Sequence, residues 1–460
     1  MALTGSGTPE RLVPAAAGLI ARLRAWLADG GDRSLAQRMA GTAFLIRIAA
    51  AALTYLSQIL LARWMGTSEF GIYVYVWTWV MLIGALVDLG LASSAQRFIP
   101  EYGGRGELAR LRGFLAGSRW LTFWLATGMA IAGAFCISLL RPWLDDTTIV
   151  PLFLACTCLP AYGVLHVQDG IARSYNWANL ALLPPYILRQ LFVVAAMGAT
   201  WLAGAPTDAV SIVIIAALSL WLTALGQMIV LNRSLKEKAG EGGREYDIPH
   251  WLSVSMPIFA VELFSSLLLY VDVLILKQYR PAEEIGIYFA ALKTLSLVSF
   301  VHFAVAAAAA HRFAAYQTAG DRAALSAFAA DAVRWTFWPS FAMALLLLAL
   351  GWPLLWLFGR DFTGGYHLMF IFTLGVLARA SVGPAERFLV MLGQQRACAL
   401  VSAAAFAVNL VLCLLLIPPY GATGAAISIS TAFLAETLLL FLIARGKLGA
   451  HLFVFGGPMR

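Results

Sequence analysis

Nine ionisable side chains lie within or at the edges of long apolar stretches of this 460-residue chain. A charge at the centre of a bilayer costs about 2.5–3.5 kcal/mol on insertion scales, so such residues almost always face a wet cavity or a partner. The set therefore predicts a polar site at membrane depth. Its members are Arg47, Asp88, Arg189, Glu262, Asp272, Lys293, Arg379, Glu386 and Glu436.

The four cations of this set come from four different apolar stretches. Arginine carries a planar fork of donors that matches phosphate oxygens. We expect Arg47, Arg189 and Arg379 in the half of the membrane nearer the cytoplasm. Lys293 is expected nearer the outer face, and the four would together line a cationic cavity for an anionic headgroup. The alternative is that each cation is paired with a carboxylate, for example Arg47 with Asp88, only to hold helices together.

Three carboxylates could carry protons or bind a sodium ion for coupling. These are Asp88, Glu262 and Glu436. The competing interpretation is structural pairing or, for Asp88 and Glu436, proximity to the inner interface. Asp272 and Glu386 are expected at span ends, in contact with water.

Prolines inside the apolar stretches mark positions where a helix can bend. Pro257 lies just over one turn inside the seventh stretch. Because proline removes a backbone hydrogen bond and kinks a helix, Pro257 is the candidate hinge, and a fixed kink is the alternative. Pro184 and Pro185 are expected to open the fifth stretch.

Histidine and cysteine are expected to pack rather than to bind metal. His166 and His302 are isolated within apolar stretches, and all five cysteines also lie in such stretches. Cys156 and Cys158 are too close together for a usual zinc clamp and have no second pair. We therefore expect no metal or other cofactor.

Composition places these residues in a membrane. Apolar residues make up 61% of the chain and charged residues 12%, against roughly 45–50% and about 25% in soluble domains. About 20 apolar residues cross a bilayer as a helix, and this rule gives about twelve spans. The remaining segments are too short for an independent catalytic domain, so the class is an all-α polytopic membrane protein and most enzyme classes are excluded.

The spans divide the chain into two sets of six. Apolar residues at helical spacing beside arginines in the N-terminal segment suit a helix lying on the inner leaflet, and a flexible tail is the alternative. The predicted parts are a cytoplasmic N-terminal segment 1–40, a first bundle 41–231, a cytoplasmic linker 232–251, a second bundle 252–444 and a cytoplasmic tail 445–460.

The distribution of Lys and Arg predicts the orientation. With both termini inside, the inner segments hold 23 of these residues and the outer loops hold 5. Such a bias is typical of cytoplasmic loops. It also accounts for the net charge of +8 without a nucleic-acid partner.

An internal repeat relates the two sets of spans. Gly-Ile-Tyr follows a Glu at the entry to the second span, at Gly71, and again at the entry to the eighth, at Gly286. The two glycines are 215 positions apart and have the same predicted orientation. This indicates a parallel repeat about an axis along the membrane normal, an arrangement that builds a midplane cavity in transporters.

The order of these motifs resembles a known family. Residues 66–73 (GTSEFGIY), then 88–91 (DLGL) and Arg97-Phe98, are similar to the opening helices of polysaccharide flippases of the multidrug/oligosaccharidyl-lipid/polysaccharide exporter superfamily. Residues 286–288 with Lys293, Gly383-Pro384 and 416–426 (LIPPYGATGAA) resemble its second half. The similarity covers most of residues 34–448.

The resemblance implies a multi-pass protein of the bacterial inner membrane. It would move a polyprenyl-pyrophosphate-linked oligosaccharide to the outer leaflet by alternating access, in the synthesis of surface polysaccharide such as lipopolysaccharide. Two six-helix bundles would form a V around a central cavity, and polysaccharide polymerase and export proteins would be candidate partners. The cations identified above suit such a cargo, because its pyrophosphate must cross the apolar layer.

Three other functions stay open. A multidrug exporter of the same superfamily shares the architecture but would favour an acidic cavity. A membrane-embedded oligosaccharide polymerase or glycosyltransferase would be expected to carry a large outer loop, and every predicted outer loop here is short. A non-transporting subunit of an export complex is the third.

Overall fold

The structure is a computed structural model. It describes residues 32–302, 304–306, 309, 322–448 and 452–455. The predicted interfacial helix before residue 32 and the end of the predicted tail lie outside the described residues. We call "inner" the end of the molecule that carries the loops predicted to be cytoplasmic, and "outer" the opposite end.

Helices form the whole framework, and no strand occurs within the described ranges. Two short 3₁₀ segments cover Arg141–Trp143 and Arg360–Gly365, and a π-helical turn covers Pro184–Leu188. The helices are α1 Asp32–Gly84, α2 Leu91–Gly104, α3 Leu108–Leu140, α4 Asp146–Cys156, α5 Cys158–Ser174, α6 Ala178–Leu183, α7 Arg189–Leu202, α8 Ala209–Ala239, α9 Ile248–Tyr279, α10 Ala282–Ser296, α11 Arg322–Ala349, α12 Gly351–Phe358, α13 Tyr366–Ser381, α14 Ala385–Met391 and α15 Gln395–Leu448.

The described helices are long and apolar enough to cross a membrane many times. Nine stretches meet that condition, or ten when α4 and α5, bent by 43°, are one broken span. The chain is therefore an all-helical, multi-pass membrane protein, as predicted. Two of the nine stretches contain a break, at Gly66 in α1 and Gly421 in α15. Dividing the two at these glycines would give the twelve predicted spans, so that count stays a prediction.

Positive φ angles explain the two breaks. Gly66 has φ 79° and Gly421 has φ 55°, a region that glycine enters without the steric cost that a Cβ brings. Each break turns the chain at the outer end between two helices. α1 and α15 thus each consist of two helices joined at such a glycine.

The fifth predicted span begins earlier than the sequence suggested. Helix is already present from Ala178, so the prediction that Pro184 and Pro185 open this span is wrong. The two prolines sit in the π turn, where the backbone N–H of Arg189 donates to Pro184 O. The wider turn accommodates the two missing N–H donors without ending the helix.

The two repeat glycines lie against each other where α1 and α10 cross. A Cβ atom at Gly71 would stand 1.8 Å from the carbonyl oxygen of Ala282, and one at Gly286 would stand 2.6 Å from that of Thr67. Only glycine permits backbones to approach this closely. The contact is reciprocal, as expected where a pseudo-two-fold axis passes between repeated elements.

The glutamate of each repeat motif also plays the same part in both halves. Glu69 Oε2 accepts from the backbone N–H of Ala209, the first residue of α8, at 2.8 Å. Glu284 Oε1 accepts from Ala422 N, just after the break in α15, at 2.6 Å. Each carboxylate therefore satisfies one of the free N–H groups at a helix start. The sequence repeat is also a repeat of contacts.

The hydrophobic cores divide the molecule differently at its two ends. One large core at the outer end contains residues of both halves, such as Phe70 and Phe362, whose rings lie 5.9 Å apart. At the inner end the described residues form two separate large cores. One is built on the first half with Trp251, and the other, which includes Phe388, on the second half. Among the residues that the structure describes, apolar packing thus joins the halves at the outer end, whereas the two inner cores stay separate.

Helix α9 bridges the two halves. Its inner part packs on the first half, where Trp251 makes an edge-to-face contact with Phe114 at 5.3 Å. Its outer part packs on α15, where Asn409 Nδ2 donates to Leu268 O at 3.1 Å. Pro257 lies on the inner part, inside an unbroken helix and with an exposed side chain. Its role as a hinge stays a prediction.

Candidate functional site

A cavity of about 320 Å³ opens among α9, α10, α11, α13 and α15. Its walls include Thr78 from the first half, so the cavity lies where the halves meet. Hydroxyl, imidazole and cationic groups share these walls with aromatic rings. The polar and charged lining residues are Thr78, Tyr270, Lys293, Ser296, Ser299, His302, Ser340, Arg379 and Ser430.

Two of the four predicted cations line this one cavity. Lys293 Nζ lies 5.0 Å from the ring centroid of Phe289, and Arg379 Cζ lies 4.7 Å from that of Phe433. Cation–π contacts of this kind hold a positive group in a place with little water. The structure thus brings together Lys293 of the eighth predicted span and Arg379 of the tenth.

Arg379 has a buried carboxylate partner. Its Nε lies 3.2 Å from Glu436 Oε2, and the side chain of Glu436 is only 6% exposed whereas that of Arg379 is 40% exposed. The guanidinium therefore faces the cavity on one side and a fixed anion on the other. This pair fits the structural alternative for both residues, and it leaves a part of the guanidinium open to a ligand.

The other two predicted cations do not line this cavity. Arg189 lies over the ring of Trp77, 5.2 Å from its centroid, and its Nε donates to Pro185 O at 3.3 Å. The π turn positions this side chain, since it sets the direction of the helix at Arg189. Arg47 is exposed on α1 and lies within electrostatic range of Asp169.

Two tyrosines lie between the cations of the first half and the cavity lining in electrostatic range. Tyr186 lies within electrostatic range of both Arg47 and Arg189. Tyr270 lines the cavity and lies within the same range of Tyr186. Arg47 and Arg189 of the first half therefore lie outside the cavity lining, whereas Thr78 of the same half is part of it.

Asp88 organises the break between α1 and α2. Its carboxylate accepts from Gly90 N at 3.2 Å and from Ala92 N at 3.1 Å, and it contacts His166 Nδ1 at 3.1 Å. The backbone needs this support because Leu89 and Gly90 have φ 49° and 74°. The carboxylate of Asp88 thus contacts the imidazole of His166, and the suggested pair of Arg47 with Asp88 stays a prediction.

Glu262 joins this region to the second half. Its Oε1 accepts a short hydrogen bond from Ser93 Oγ of α2. On the first half, Asp169 Oδ2 accepts from Arg173 Nη2 at 2.6 Å. Together with Asp88 and His166 these groups form a cluster of polar and charged side chains at the inner end, which we call the inner cluster: Asp88, Ser93, His166, Asp169, Arg173 and Glu262.

Sequence reasoning missed part of this arrangement. His166 and His302 were expected to be ordinary packing residues, yet the first contacts Asp88 and the second lines the cavity. A usable signal was present for His166, because Asp169 and Arg173 follow it at helical spacing and so share a face of α5. His302 had no such neighbour in sequence.

Asp272 is also placed differently from the expectation. It was expected at a solvated span end, but it is fully buried and accepts from Tyr288 Oη and from Val273 N. The prediction is wrong because its partner lies 16 residues away on the next helix, where hydropathy gives no information. Asp272 holds α9 to α10.

The described residues contain no group of three or more His, Cys, Asp and Glu side chains that could hold a metal ion. Their five cysteines are free thiols.

The fold is that of solved transporters of the MOP superfamily. A structure described as the inward-facing conformation of a multidrug resistance MATE family transporter matches with a TM-score of 0.72 and 14% identity over 88% of this chain and 98% of that one. The lipid II flippase MurJ, in an inward closed conformation, matches with a TM-score of 0.70 and 16% identity over 87% of both chains.

A third structure is a MOP superfamily transporter from Pyrococcus furiosus, whose description says that the reverse polarity of its binding pocket suggests a different function. It matches with a TM-score of 0.65 and 13% identity over 89% of this chain and 95% of that one. No curated protein gives a significant match.

The sequence itself matches a known protein family. The model of the family described as polysaccharide biosynthesis protein matches residues 38–313, which is more than half of the chain. This agrees with the resemblance noted in the sequence and with the fold. The chain belongs to the polysaccharide biosynthesis protein family.

Proposed function

We propose that the protein is a flippase of the bacterial inner membrane that carries a polyprenyl-pyrophosphate-linked oligosaccharide to the outer leaflet by alternating access, for surface polysaccharide such as lipopolysaccharide. The family and the transporter fold support the class. The substrate class is inferred from one observation: Lys293 and Arg379 both line one cavity at the junction of the halves.

The chemistry of this cavity suits a phosphate-bearing headgroup. Lys293 supplies a compact charge, and Arg379 supplies a fork of donors that can bind two phosphate oxygens at once. Serine hydroxyls at positions 296, 299 and 430 can complete the shell. A volume of about 320 Å³ is at the low end for ligand pockets. It therefore accepts a headgroup, while the lipid tail would stay in the bilayer.

The division of the cores supports an opening at the inner end in this conformation. Cargo would enter between the separate inner cores and meet the first-half cations, Arg47 and Arg189, near Tyr186. Tyr270 would then lie between that entrance and the cavity with Lys293. Release to the outer leaflet requires the joint outer core to separate, which is the second state of alternating access.

Three carboxylates are proposed to couple this motion to an ion. Glu436 contacts Arg379 through Nε, so a pyrophosphate that binds the whole guanidinium would compete with it. Asp88 and Glu262 belong to the inner cluster, and Glu262 links the halves through Ser93. Protonation of these groups would weaken contacts that hold the inner end in one arrangement.

Charge removal in the cavity tests the proposal. In a strain deleted for this protein, Lys293→Ala and Arg379→Ala should fail to restore surface polysaccharide, and lipid-linked glycan should accumulate facing the cytoplasm. Lys293→Arg and Arg379→Lys should retain partial activity. Arg233→Ala removes an exposed inner-end cation outside the cavity and is the matched control. Full activity of both alanine variants at normal expression would refute the cationic cavity.

A multidrug exporter is the second candidate, and the acidic members of the inner cluster favour it. Asp88, Asp169 and Glu262 lie close enough to His166 to act on it electrostatically, and such a group could attract an organic cation. Resistance to ethidium that rises with expression and is lost in Asp169→Asn would support this candidate. An enzyme that polymerises or transfers sugars is tested separately, because it would change the mass of a lipid-linked glycan incubated with the purified protein.

A further inference from the structure

A second and larger cavity lies within the first half, away from the proposed transport cavity. It is a trough of about 770 Å³ lined by α3, α5 and α8 and by the start of the linker after α8. Helices α3 and α8 both pack on α5 but only weakly on each other. α5 is therefore the floor of the trough, and α3 and α8 are its two walls.

Small and large side chains shape this trough. The floor is low because it presents Pro160, Ala161 and Val164. The walls carry large apolar groups, among them Trp120 and Leu225, which are 57% and 46% exposed. Exposed tryptophan and leucine on a membrane helix are suited to contact hydrocarbon chains.

The inner end of the trough is cationic. Four basic residues, Arg112, Arg119, Lys236 and Arg244, line it against one carboxylate, Glu241. Glu241 lies 3.5 Å from Lys236, and both side chains are more than 70% exposed, so this ion pair contributes little. The trough end thus keeps an excess of positive charge.

The arginines are held by uncharged groups. Arg119 donates to Leu115 O at 2.7 Å and to Asn232 Oδ1 at 2.6 Å. Arg112 donates to Gly243 O and to Ala239 O, both at 2.9 Å. These bonds fix the direction of the guanidinium groups without neutralising them. Arg244 lies close enough to Arg119 to repel it, a cost that an anion between them would remove.

The dimensions of the trough match one leaflet. Trp221 and Lys236 are 15 residues apart on α8, which is about 22 Å at 1.5 Å per residue. Half of a bilayer with its headgroups is roughly 20–22 Å thick. A lipid with its phosphate at the arginines would therefore extend its acyl chains along the apolar walls to the middle of the membrane.

We propose that this trough is a binding site for an anionic glycerophospholipid of the inner leaflet. Basic pockets between membrane helices on the cytoplasmic side recognise anionic headgroups, and the charge at this trough end is complementary to such a head. The inference concerns a surface outside the transport cavity, and it stands whether or not the protein is a flippase.

Lipid titration of the full chain tests the site. Purified protein is titrated with phosphatidylglycerol or phosphatidylcholine, and bound lipid is counted by native mass spectrometry. Wild type should prefer phosphatidylglycerol. The double variant Arg119→Gln/Arg244→Gln should bind it about tenfold more weakly or worse, since each basic residue near the membrane surface contributes measurably to anionic-lipid binding. Its affinity for phosphatidylcholine should not change.

The matched control is Arg233→Gln/Lys238→Gln, which removes two charges from the same end of α8 outside the trough. It should lose much less affinity for phosphatidylglycerol than the trough variant, because neither side chain lines the trough. Equal losses in both double variants would overturn the site in favour of diffuse attraction. Displacement of phosphatidylglycerol by a much lower concentration of undecaprenyl phosphate would also overturn it, because the trough would then belong to the transport substrate. If Arg119→Gln prevents folding, the double variant Lys236→Gln/Arg244→Gln replaces it, because it changes only exposed side chains. Its preference for phosphatidylglycerol over phosphatidylcholine should also be weaker than that of wild type.

Discussion

Asp88 combines two kinds of contact in one fully buried carboxylate. Its oxygens accept from the backbone of Gly90 and Ala92, and one of them also faces His166. The backbone contacts are local and hold a strained turn, whereas the histidine contact ties that turn to α5. A structural role and a coupling role therefore make different demands on the side chain.

Substitution at Asp88 separates the two roles. Asp88→Ala should lower the free energy of unfolding by about 1–3 kcal/mol, because it leaves buried N–H groups without an acceptor. Asp88→Asn keeps an acceptor oxygen and should cost clearly less. Denaturant unfolding in mixed micelles measures both, with the exposed Glu241→Ala as control. Equal losses for the alanine and asparagine variants would contradict the capping role. Loss of transport in a stable Asp88→Asn would support coupling.

Under the proposed function, the contact of Arg379 with Glu436 is the one that most directly affects cargo binding. If pyrophosphate competes with Glu436 for Arg379, Glu436→Gln should strengthen binding of a lipid-linked pyrophosphate, and Arg379→Ala should weaken it. The double variant should bind like Arg379→Ala, since Glu436 acts only through the arginine. A double-mutant cycle on measured affinities tests this. Additive effects would mean that the two residues affect binding independently.

Individual contacts were only partly predictable from the sequence. Lys293 and Arg379 were found because a charge at membrane depth is costly and its presence is therefore informative. The partner of Asp272, by contrast, is Tyr288 on the following helix. Tyrosine is common near membranes and its position carries no charge signal. Which helix faces which had to come from the structure.

The two halves of the molecule share a helix cap as well as a sequence motif. Glu69 and Glu284 each accept from the first backbone N–H groups of a helix that begins far along the chain, α8 in the first half and the second part of α15 in the other. Both contacts lie at the outer end, where the glycine crossing of α1 and α10 is also found. They fix the sixth predicted span of each half to the start of the second.

Removal of one cap should be measurable. Glu284→Ala should lower the free energy of unfolding by about 0.5–2 kcal/mol, the usual cost of losing an N-terminal cap. Glu284→Gln keeps an acceptor and should cost less. Glu283→Ala is the matched control, because Glu283 is exposed and adjacent. If Glu283→Ala lowered the free energy of unfolding as much as Glu284→Ala, the negative charge near the start of α10 would matter and not the hydrogen bond to Ala422.

Elements were more predictable than contacts, with two instructive exceptions. Apolar length predicted the helices, because spanning a bilayer requires about 20 apolar residues. The same length rule could not see that α4 and α5 meet at a 43° bend, since both parts are apolar. Nor could it show that Pro184 and Pro185 lie inside a helix, because a π turn leaves no trace in hydropathy.

At the scale of the whole molecule, the outer end holds the halves together. The glycine crossing, the joint core and an ion pair between Lys277 of α9 and Asp145 before α4 all lie there. At the inner end, each half of the molecule has a core of its own. A motion that keeps these cores intact can open the inner end, but opening the outer end must separate the joint core.

A reversible cross-link at the outer end tests whether that separation is part of the cycle. In a variant whose five cysteines are replaced by serine or alanine, cysteines at positions 145 and 277 can be joined by a short, cleavable bifunctional thiol reagent. Transport should stop when the link forms and return when it is cleaved, because the outer leaflet could no longer be reached. Flipping of lipid-linked glycan in reconstituted vesicles is the measurement.

The control link lies within one half. Arg280 donates to Pro418 O and Pro419 O, both in the second half, so cysteines at positions 280 and 418 join parts that should move together. This link should leave transport nearly unchanged. Transport that continues with 145 and 277 fully linked would contradict opening at the outer end, whereas arrest by both links would mean that rigidity, and not separation of the halves, was being measured.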